Sequence, residues 1–154
     1  MAHNGRLNRS PVHLLHRAVQ CADEIFANEF SDLTPRQLAV LTAVAGNDGA
    51  SQTDLVNSTG VDRSTMADIV RRLLRKGLLQ RRRTREDARA YAVKLTDKGR
   101  RVLGAADPVA RRVDDRVLGS LPANQRGAFL TALASIAETL QRMAPVSPRR
   151  RPAA

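Results

Sequence analysis

Cysteine, histidine and aromatic residues are scarce in this chain of 154 residues. It contains one cysteine, three histidines, no tryptophan and 3% aromatic residues. One cysteine cannot form an internal disulfide, and the histidines (His3, His13, His16) all precede residue 17, so neither a disulfide scaffold nor a zinc site is expected. We therefore expect no bound metal and no other cofactor.

Long apolar runs and catalytic motifs are also missing. No run approaches the ~20 residues that a membrane span needs, and the first residues lack the apolar segment of a secretory signal. We therefore expect a cytoplasmic protein with no membrane partner. No glycine-rich phosphate loop and no G-x-S-x-G motif occurs, so we expect the protein not to be an enzyme.

Positive charge, by contrast, is abundant. The chain has 26 Lys and Arg against 15 Asp and Glu, a formal net charge of +11, and five arginines fall within residues 81–89. Self-repulsion opposes so much charge of one sign unless an anionic partner offsets it. Such a balance favours nucleic acid or an anionic membrane surface, and charge alone does not choose between them.

Helical spacing of apolar residues predicts a mainly α-helical chain. SQTDLVNSTG predicts a short helix that ends in a turn at Gly60, and RSTMADIVRRLLRKG predicts a longer, basic helix, which together are typical of a helix-turn-helix. An alternating hairpin follows, so the pattern predicts a winged helix-turn-helix whose small β-hairpin wing carries the arginine run. Pro108 should kink or interrupt the next helix. Helix starts are marked by Ser10–Pro11, Thr34 with Gln37, Ser51 with Asp54, Asp62 and Thr96.

Two apolar stripes run along the predicted terminal helices, Leu15–Phe30 and Phe129–Met143. Together they present more apolar surface than the winged helix-turn-helix can bury. They predict a two-fold homodimer, which would also suit the two half-sites of a pseudo-palindromic DNA operator. The predicted organisation is a flexible N-terminus (1–9), dimerisation helices (10–32 and 100–144), a DNA-binding lobe (33–99) and a disordered basic tail (145–154).

The second helix of the helix-turn-helix should present a polar face to DNA. Arg71 can make a bidentate contact to guanine, and Asp68 can accept from cytosine N4 or orient an arginine. The alternative is a solvated face on which Asp68 pairs with Arg72; the adjacent turn and wing favour DNA binding. The opposite side should pack into the core through Met66, Ile69, Val70 and Leu73. The candidate DNA-binding residues are Ser64, Thr65, Asp68, Arg71, Arg72 and Arg75, with Arg72 and Arg75 nearest to phosphates.

The run from residue 33 to 103 resembles the MarR family of bacterial winged helix-turn-helix regulators. The resemblance is carried by LTPRQLAVL, by SQTDLVNSTGVDRSTMADIVRRLLRKGLLQRR and by DARAYAVKLTDKG. The last stretch fits the family's wing signature at Asp87, Arg89, Leu95, Thr96 and Gly99.

The resemblance implies a homodimer whose recognition helices enter successive major grooves. It also places Arg89 in the minor groove with Asp87 orienting it, and an arginine suits a narrow, electronegative minor groove. A turn contact between Asp87 and Arg89 with no DNA role is the alternative. Arg85 is a further candidate DNA-binding residue of the wing.

The resemblance further implies control by a small molecule, since many relatives release DNA on binding phenolic or aromatic carboxylates. His13, His16 and Arg17 lie on the helix that lines the family's effector crevice; a solvated face or a dimer contact is their alternative role. We expect a repressor released by a small organic anion, either an aromatic acid or its coenzyme A thioester. The thioester could be admitted by Arg111, Arg112 and Arg116.

Two other functions stay open. Some relatives sense organic hydroperoxides through one cysteine of the first helix, where Cys21 lies. Cys21 falls in an apolar register, and the only tyrosine, Tyr91, lies in the wing, so we predict a buried, inert thiol with peroxide sensing as the alternative. A basic protein that coats DNA or RNA without sequence preference is the other alternative.

Overall fold

The computed structural model describes residues 2–83 and 91–144. Over these ranges the chain forms seven helices and one antiparallel two-stranded sheet. The prediction of a mainly helical chain with a hairpin wing is confirmed. In chain order the elements are α1 Ala2–Leu7, α2 Pro11–Glu29, α3 Pro35–Gly46, α4 Gln52–Thr59, α5 Arg63–Arg75, β1 Leu79–Arg83, β2 Tyr91–Leu95, α6 Asp97–Gly119 and α7 Ala123–Met143.

Helices α2 to α6 begin at the predicted cap residues. Thr34 Oγ1 accepts from the Gln37 amide at 3.2 Å, and Gln37 Oε1 accepts from the Thr34 amide at 3.2 Å. This reciprocal capping box satisfies two amides that the first turn leaves without partners. The side chains of Ser10, Ser51, Asp62 and Thr96 accept equivalent bonds at the starts of α2, α4, α5 and α6.

One hydrophobic core joins α3, α4, α5, the sheet and parts of α2 and α6. The predicted inner face of α5 is confirmed, since Met66, Ile69, Val70 and Leu73 are all buried. Strands β1 and β2 pair in antiparallel register, from Leu79 opposite Leu95 to Arg83 opposite Tyr91. On the edge of β2 that faces away from β1, the Val93 amide donates to the Ala50 carbonyl at 3.0 Å. The wing therefore grows directly out of the core that supports α5.

Helical backbone extends beyond what the sequence predicted in two places. Residues 2–7 form α1, with Arg6 in its last turn, where a cation is favourable, and the predicted flexibility of residues 1–9 stays a prediction. Pro108 does not interrupt α6, which continues from Asp97 to Gly119. Buried Ala106 and Val109 hold the helix against the core on both sides of the proline.

The predicted burial of Cys21 is wrong, because its side chain is exposed. The residues of α2 and its C-cap that pack on the chain's own core, Ala22, Ile25, Phe26 and Phe30, all follow Cys21 in the chain. Only the C-terminal half of α2 packs on this core, and Phe26 is its single buried residue.

Large apolar side chains stay exposed on α2 and α7. Helix α7 has no buried residue, and its Leu130, Ile136 and Leu140 are each about half exposed. The division into a DNA-binding lobe and dimerisation helices stays a prediction, and the predicted tail, 145–154, lies outside the described residues. No helix in the described ranges is long and apolar enough to cross a membrane.

Candidate nucleic-acid interface

Helices α4 and α5 are joined by a tight turn at Gly60. This glycine has a φ of 70°, in the left-handed region that side chains with a Cβ disfavour, and its amide donates to the Val56 carbonyl at 2.9 Å. Asp62 then caps α5, and hydrogen bonds from the Thr65 side chain and backbone lower its pKa below the ordinary value. The turn and the ionised cap together fix where α5 begins.

The candidate residues of α5 lie on its outer side. Ser64 and Arg71 are exposed, while Thr65 is half-buried and bonded to Asp62. Asp68 Oδ2 accepts from Arg72 Nε at 2.8 Å, and Asp68 Oδ1 lies 3.6 Å from an Arg71 nitrogen. Asp68 therefore forms with Arg72 the ion pair that the alternative of a solvated face describes, and it also approaches Arg71.

A basic groove of about 520 Å³ lies at the C-terminal end of α5. Arg72, Arg75 and Lys76 form one wall, and residues 31–34 with Gln37 form the other. Lys76 Nζ donates to the Asp32 carbonyl at 2.6 Å, which ties the end of α5 to the connection between α2 and α3. The groove thus brings three cationic side chains, Arg72, Arg75 and Lys76, together at one end of α5.

Lys76 is absent from the sequence-derived candidates. Its position directly after Arg75 is the one local feature that could have suggested it. Its contact with Asp32 joins residues 44 positions apart, which no helical or strand repeat in the sequence predicts. Lys94 is likewise absent from the sequence-derived candidates. It forms a 2.6 Å ion pair with Asp48 that ties strand β2 to the loop before α4.

The stem of the wing is basic. Arg81, Arg82 and Arg83 are exposed on β1. The candidate DNA-binding residues of the wing, Arg85, Asp87 and Arg89, lie outside the described residues.

In the described ranges, four of the five arginines of α6 are paired with carboxylates, whereas three arginines at the end of α5 and on β1 are not. On α6, arginines form ion pairs of about 3 Å: Arg100 with Asp97, Arg111 with Asp107, and both Arg112 and Arg116 with Glu29. Within the described ranges, Arg75, Arg82 and Arg83 have no carboxylate partner. Arginines without a carboxylate partner in the described ranges thus lie at the end of α5 and on β1, and also elsewhere, at Arg17 of α2, Arg36 of α3 and Arg101 of α6.

A second feature is a cleft of about 710 Å³ between α2, α3, α6 and the end of α4. Its walls are mainly apolar and include Val19, Phe26, Leu38 and Val113. Three carboxylates, Asp23, Asp107 and Asp114, also line it. The described lining residues include no Lys, Arg or His.

The candidate effector residues do not line this cleft in the single chain. His16 borders an adjoining shallow groove that shares Val19 and Asp23 with the cleft. His13 and Arg17 line neither. Arg111, Arg112 and Arg116, the candidate thioester contacts, are all held by carboxylates of their own chain.

Metal-binding geometry is not found among the residues that the structure describes. No group of three or more His, Cys, Asp or Glu side chains there could hold an ion.

Comparison with known proteins identifies the family. A model of the MarR family matches residues 31–90. The HTH-type transcriptional repressor NicR of Pseudomonas putida is 37% identical over 123 residues, which cover 79% of this chain and 78% of NicR. The chain belongs to the MarR family of transcriptional regulators.

Solved structures of MarR-family regulators share the fold. PcaV of Streptomyces coelicolor, solved with its natural ligand, superposes with a TM-score of 0.80 at 32% identity and covers 86% of this chain and 94% of its own. BpsR of Bordetella bronchiseptica, whose DNA binding is regulated by 6-hydroxynicotinic acid, has a TM-score of 0.78 at 30% identity, with coverages of 83% and 93%. The winged helix-turn-helix is thus the family's DNA-binding fold.

Proposed function

We propose that the chain is a homodimeric repressor that binds a pseudo-palindromic operator through α5 and the wing, and that a small organic anion releases it. The observation that carries the proposal is the distribution of charge. Four of the five arginines of α6 are paired within the chain, whereas Arg75, Arg82 and Arg83 on the α5–wing face have no carboxylate partner among the described residues. A relative, NicR, is a transcriptional repressor.

Sequence preference would come from the N-terminal and central part of α5. Ser64 and Arg71 project from its exposed side, and Asp68 restrains the Arg71 guanidinium from 3.6 Å. An arginine held in this way loses less conformational freedom on contacting guanine. Arg75 and Lys76 in the basic groove would bind phosphates and so set affinity more than preference.

Dimerisation would involve α2 and α7. The exposed apolar residues of α7 need a partner surface, and two-fold pairing would space the two copies of α5 about one turn of DNA apart. Each copy would then contact one half of the operator.

The effector would bind in the cleft between α2, α3 and α6. BpsR responds to 6-hydroxynicotinic acid and PcaV binds a natural ligand, which supports an aromatic acid as the class. The ion pairs of Arg111, Arg112 and Arg116 favour the free acid over a coenzyme A thioester, whose phosphates would need those cations. Binding would act only through a difference in affinity between the DNA-bound and released dimer.

The test begins with genome-wide selection of fragments bound by the purified protein. Fluorescence anisotropy then compares a selected fragment with a shuffled duplex at several salt concentrations. A regulator should prefer its own site by about 4–10 kcal/mol. Equal affinity for both duplexes at every salt concentration would instead indicate the non-specific coating protein. Adding aromatic acids to the operator complex should release the DNA.

Peroxide sensing through Cys21 is the second candidate, because the thiol is exposed in the single chain. It predicts that an organic hydroperoxide dissociates the operator complex and that Cys21→Ser abolishes this response. Release by an aromatic acid with equal effect on Cys21→Ser would favour the effector proposal.

A further inference from the structure

The loop between α3 and α4 packs against the second strand of the wing. We call residues 47–50 the clasp loop. The Ala50 carbonyl accepts from the Val93 amide of β2 at 3.0 Å. A Cβ on Gly49 would lie 3.9 Å from the Cβ of Ala92, which is ordinary van der Waals contact. The clasp loop therefore contacts two consecutive residues of β2 before α4 begins.

An ion pair extends this contact to a third residue of β2. Lys94 Nζ lies 2.6 Å from Asp48 Oδ2, and the side chain of Lys94 is 22% exposed while that of Asp48 is 68% exposed. Asp48 is the one carboxylate that pairs with Lys94 in the described ranges. A largely covered ammonium group needs such a partner, because burying an unpaired charge is costly. Asp48 therefore determines where the side chain of Lys94 can lie.

The clasp loop joins the two elements that the proposed function assigns to DNA. Ser51 follows the loop directly and caps α4, which packs on α5. On the other side, β2 pairs with β1, where Arg82 and Arg83 are exposed. A hairpin of two strands is only marginally stable by itself, so contacts along its outer edge help to fix its direction. The clasp loop supplies such contacts on the edge of β2 that faces away from β1.

We propose that Asp48 and Lys94 are positioning residues for DNA binding, whose ion pair holds the wing in the orientation that lets the wing and α5 contact the same operator half-site. The proposal rests on the proposed function, because it requires an operator bound by both elements. Neither residue has to touch DNA. Without the ion pair, the wing would have to be ordered during binding, and this ordering lowers affinity.

Charge reversal distinguishes positioning from simple attraction to DNA. Asp48→Lys replaces a negative charge by a positive one, which by attraction alone should strengthen binding to every duplex. Repulsion from Lys94 should instead release the wing. Affinity for the operator should then fall about three- to tenfold, as expected when two interacting residues are uncoupled, while binding to shuffled DNA does not weaken. Fluorescence anisotropy with a selected operator fragment and a shuffled duplex measures both affinities.

A double variant tests whether the ion pair itself is responsible. Asp48→Lys combined with Lys94→Glu re-forms the pair with its signs reversed and keeps the net charge of the wild type. Lys94→Glu alone should lose affinity for the operator, and the double variant should recover most of it. Asp48→Ala removes the partner of Lys94 at an exposed position, so it tests the same contact with less risk to folding. Circular dichroism verifies that every variant is folded.

Asn57→Lys is the matched control for Asp48→Ala. Both changes make the chain more positive by one charge, and Asn57 is exposed on α4, away from the clasp loop. Asn57→Lys should bind operator and shuffled DNA at least as tightly as the wild type, whereas Asp48→Ala should lose affinity for the operator. Hydroxyl-radical footprinting gives a local measurement. Asp48→Ala should lose protection at the positions beside each half-site, where the wing would lie, and keep protection where α5 enters the major groove.

The outcomes separate this proposal from the proposed function. If Asp48→Lys and Asp48→Ala bind the operator as tightly as the wild type, or if the double variant recovers nothing, the positioning role is overturned and the regulator still stands. If the wild type shows no preference for any selected fragment over shuffled DNA, both proposals are overturned.

Discussion

The carbonyl oxygen of Leu78 lies so close to Gly99 that a Cβ at this position would overlap it. Gly99 is the third residue of α6 and is buried, so only a residue without a side chain permits this approach. The approach lets Thr96 Oγ1 donate to the Gly77 carbonyl at 2.6 Å and the Thr96 amide donate to Leu78 at 3.1 Å. The end of α5 and the start of α6 are thereby fixed together at the base of the wing. This is a physical reason for threonine and glycine in the wing signature.

Gly99→Ala should destabilise the protein by more than about 2 kcal/mol, because backbone must move to admit the methyl group. Urea unfolding measures the change. Gly104→Ala, on the same helix, is the matched control, since nothing lies within 4 Å of a Cβ there. It should be neutral or stabilise by about 0.5–1 kcal/mol, as Ala is the better helix former. Equal stability of the two variants would contradict the close approach.

Arg71→Ala should lower affinity for the operator by about 1–3 kcal/mol and relax the preference at one base pair per half-site. Arg75→Ala should weaken binding to all duplexes similarly and flatten the dependence on salt, because a phosphate contact carries no sequence information. Anisotropy on operator and shuffled DNA measures both. Equal losses on both duplexes for both variants would show that the assignment of the recognition face is wrong.

Asp68→Ala should release two arginines at once, since Asp68 lies 2.8 Å from Arg72 and 3.6 Å from Arg71. Removing this carboxylate adds positive charge to the DNA-facing side and frees the Arg71 guanidinium. Binding to shuffled DNA should strengthen, and its dependence on salt should become steeper. The ratio of the affinity for the operator to the affinity for shuffled DNA should decrease. An unchanged salt dependence would mean that these arginines do not approach phosphates.

Local patterns were sufficient to predict the helix starts and the core of α5. A capping box needs residues three positions apart, as in Thr34 and Gln37, and a buried stripe needs only the helical repeat, as in Met66 and Leu73. Such signals lie within a few residues of one another.

Contacts between distant segments could not be predicted in this way. Cys21 is spaced at helical intervals from apolar residues of α2, which suggests burial. Which residues of α2 are buried, however, is decided by its packing against α6, a helix that lies far along the chain. The groove at Lys76 and the three carboxylates of the cleft likewise arise where distant elements meet. The candidate DNA-binding residues of α5 could be proposed from the sequence because they all lie on the polar side of one helix, and their role stays a prediction.

Leu133→Asp should disrupt the dimer, because a carboxylate buried without a partner in an apolar interface is costly. Leu133 lies in the stripe of α7, a helix with no residue buried by its own chain, so folding of the single chain should survive. Light scattering at micromolar concentration should show a monomer or an aggregate. Glu138→Gln on the same helix is the control. A dimer of wild-type stability for Leu133→Asp would place the interface elsewhere.

Glu29→Gln should weaken the contact between α2 and α6 in a pH-dependent way. Glu29 accepts from Arg112 at 2.9 Å and pairs with Arg116 at 3.0 Å, and the hydrogen bond from Arg112 is the main cause that lowers the pKa of Glu29 below its usual 4.5. A carboxyl with a lowered pKa stabilises the fold above its unfolded pKa, and this contribution is lost as pH falls through the folded value. The Tm of Glu29→Gln should therefore lie below that of the wild type at pH 7, and the difference should vanish at pH values well below about 4. Thermal unfolding followed by circular dichroism measures both. A difference that is the same at acidic and neutral pH would show that the ion pairs with Arg112 and Arg116 do not stabilise the fold.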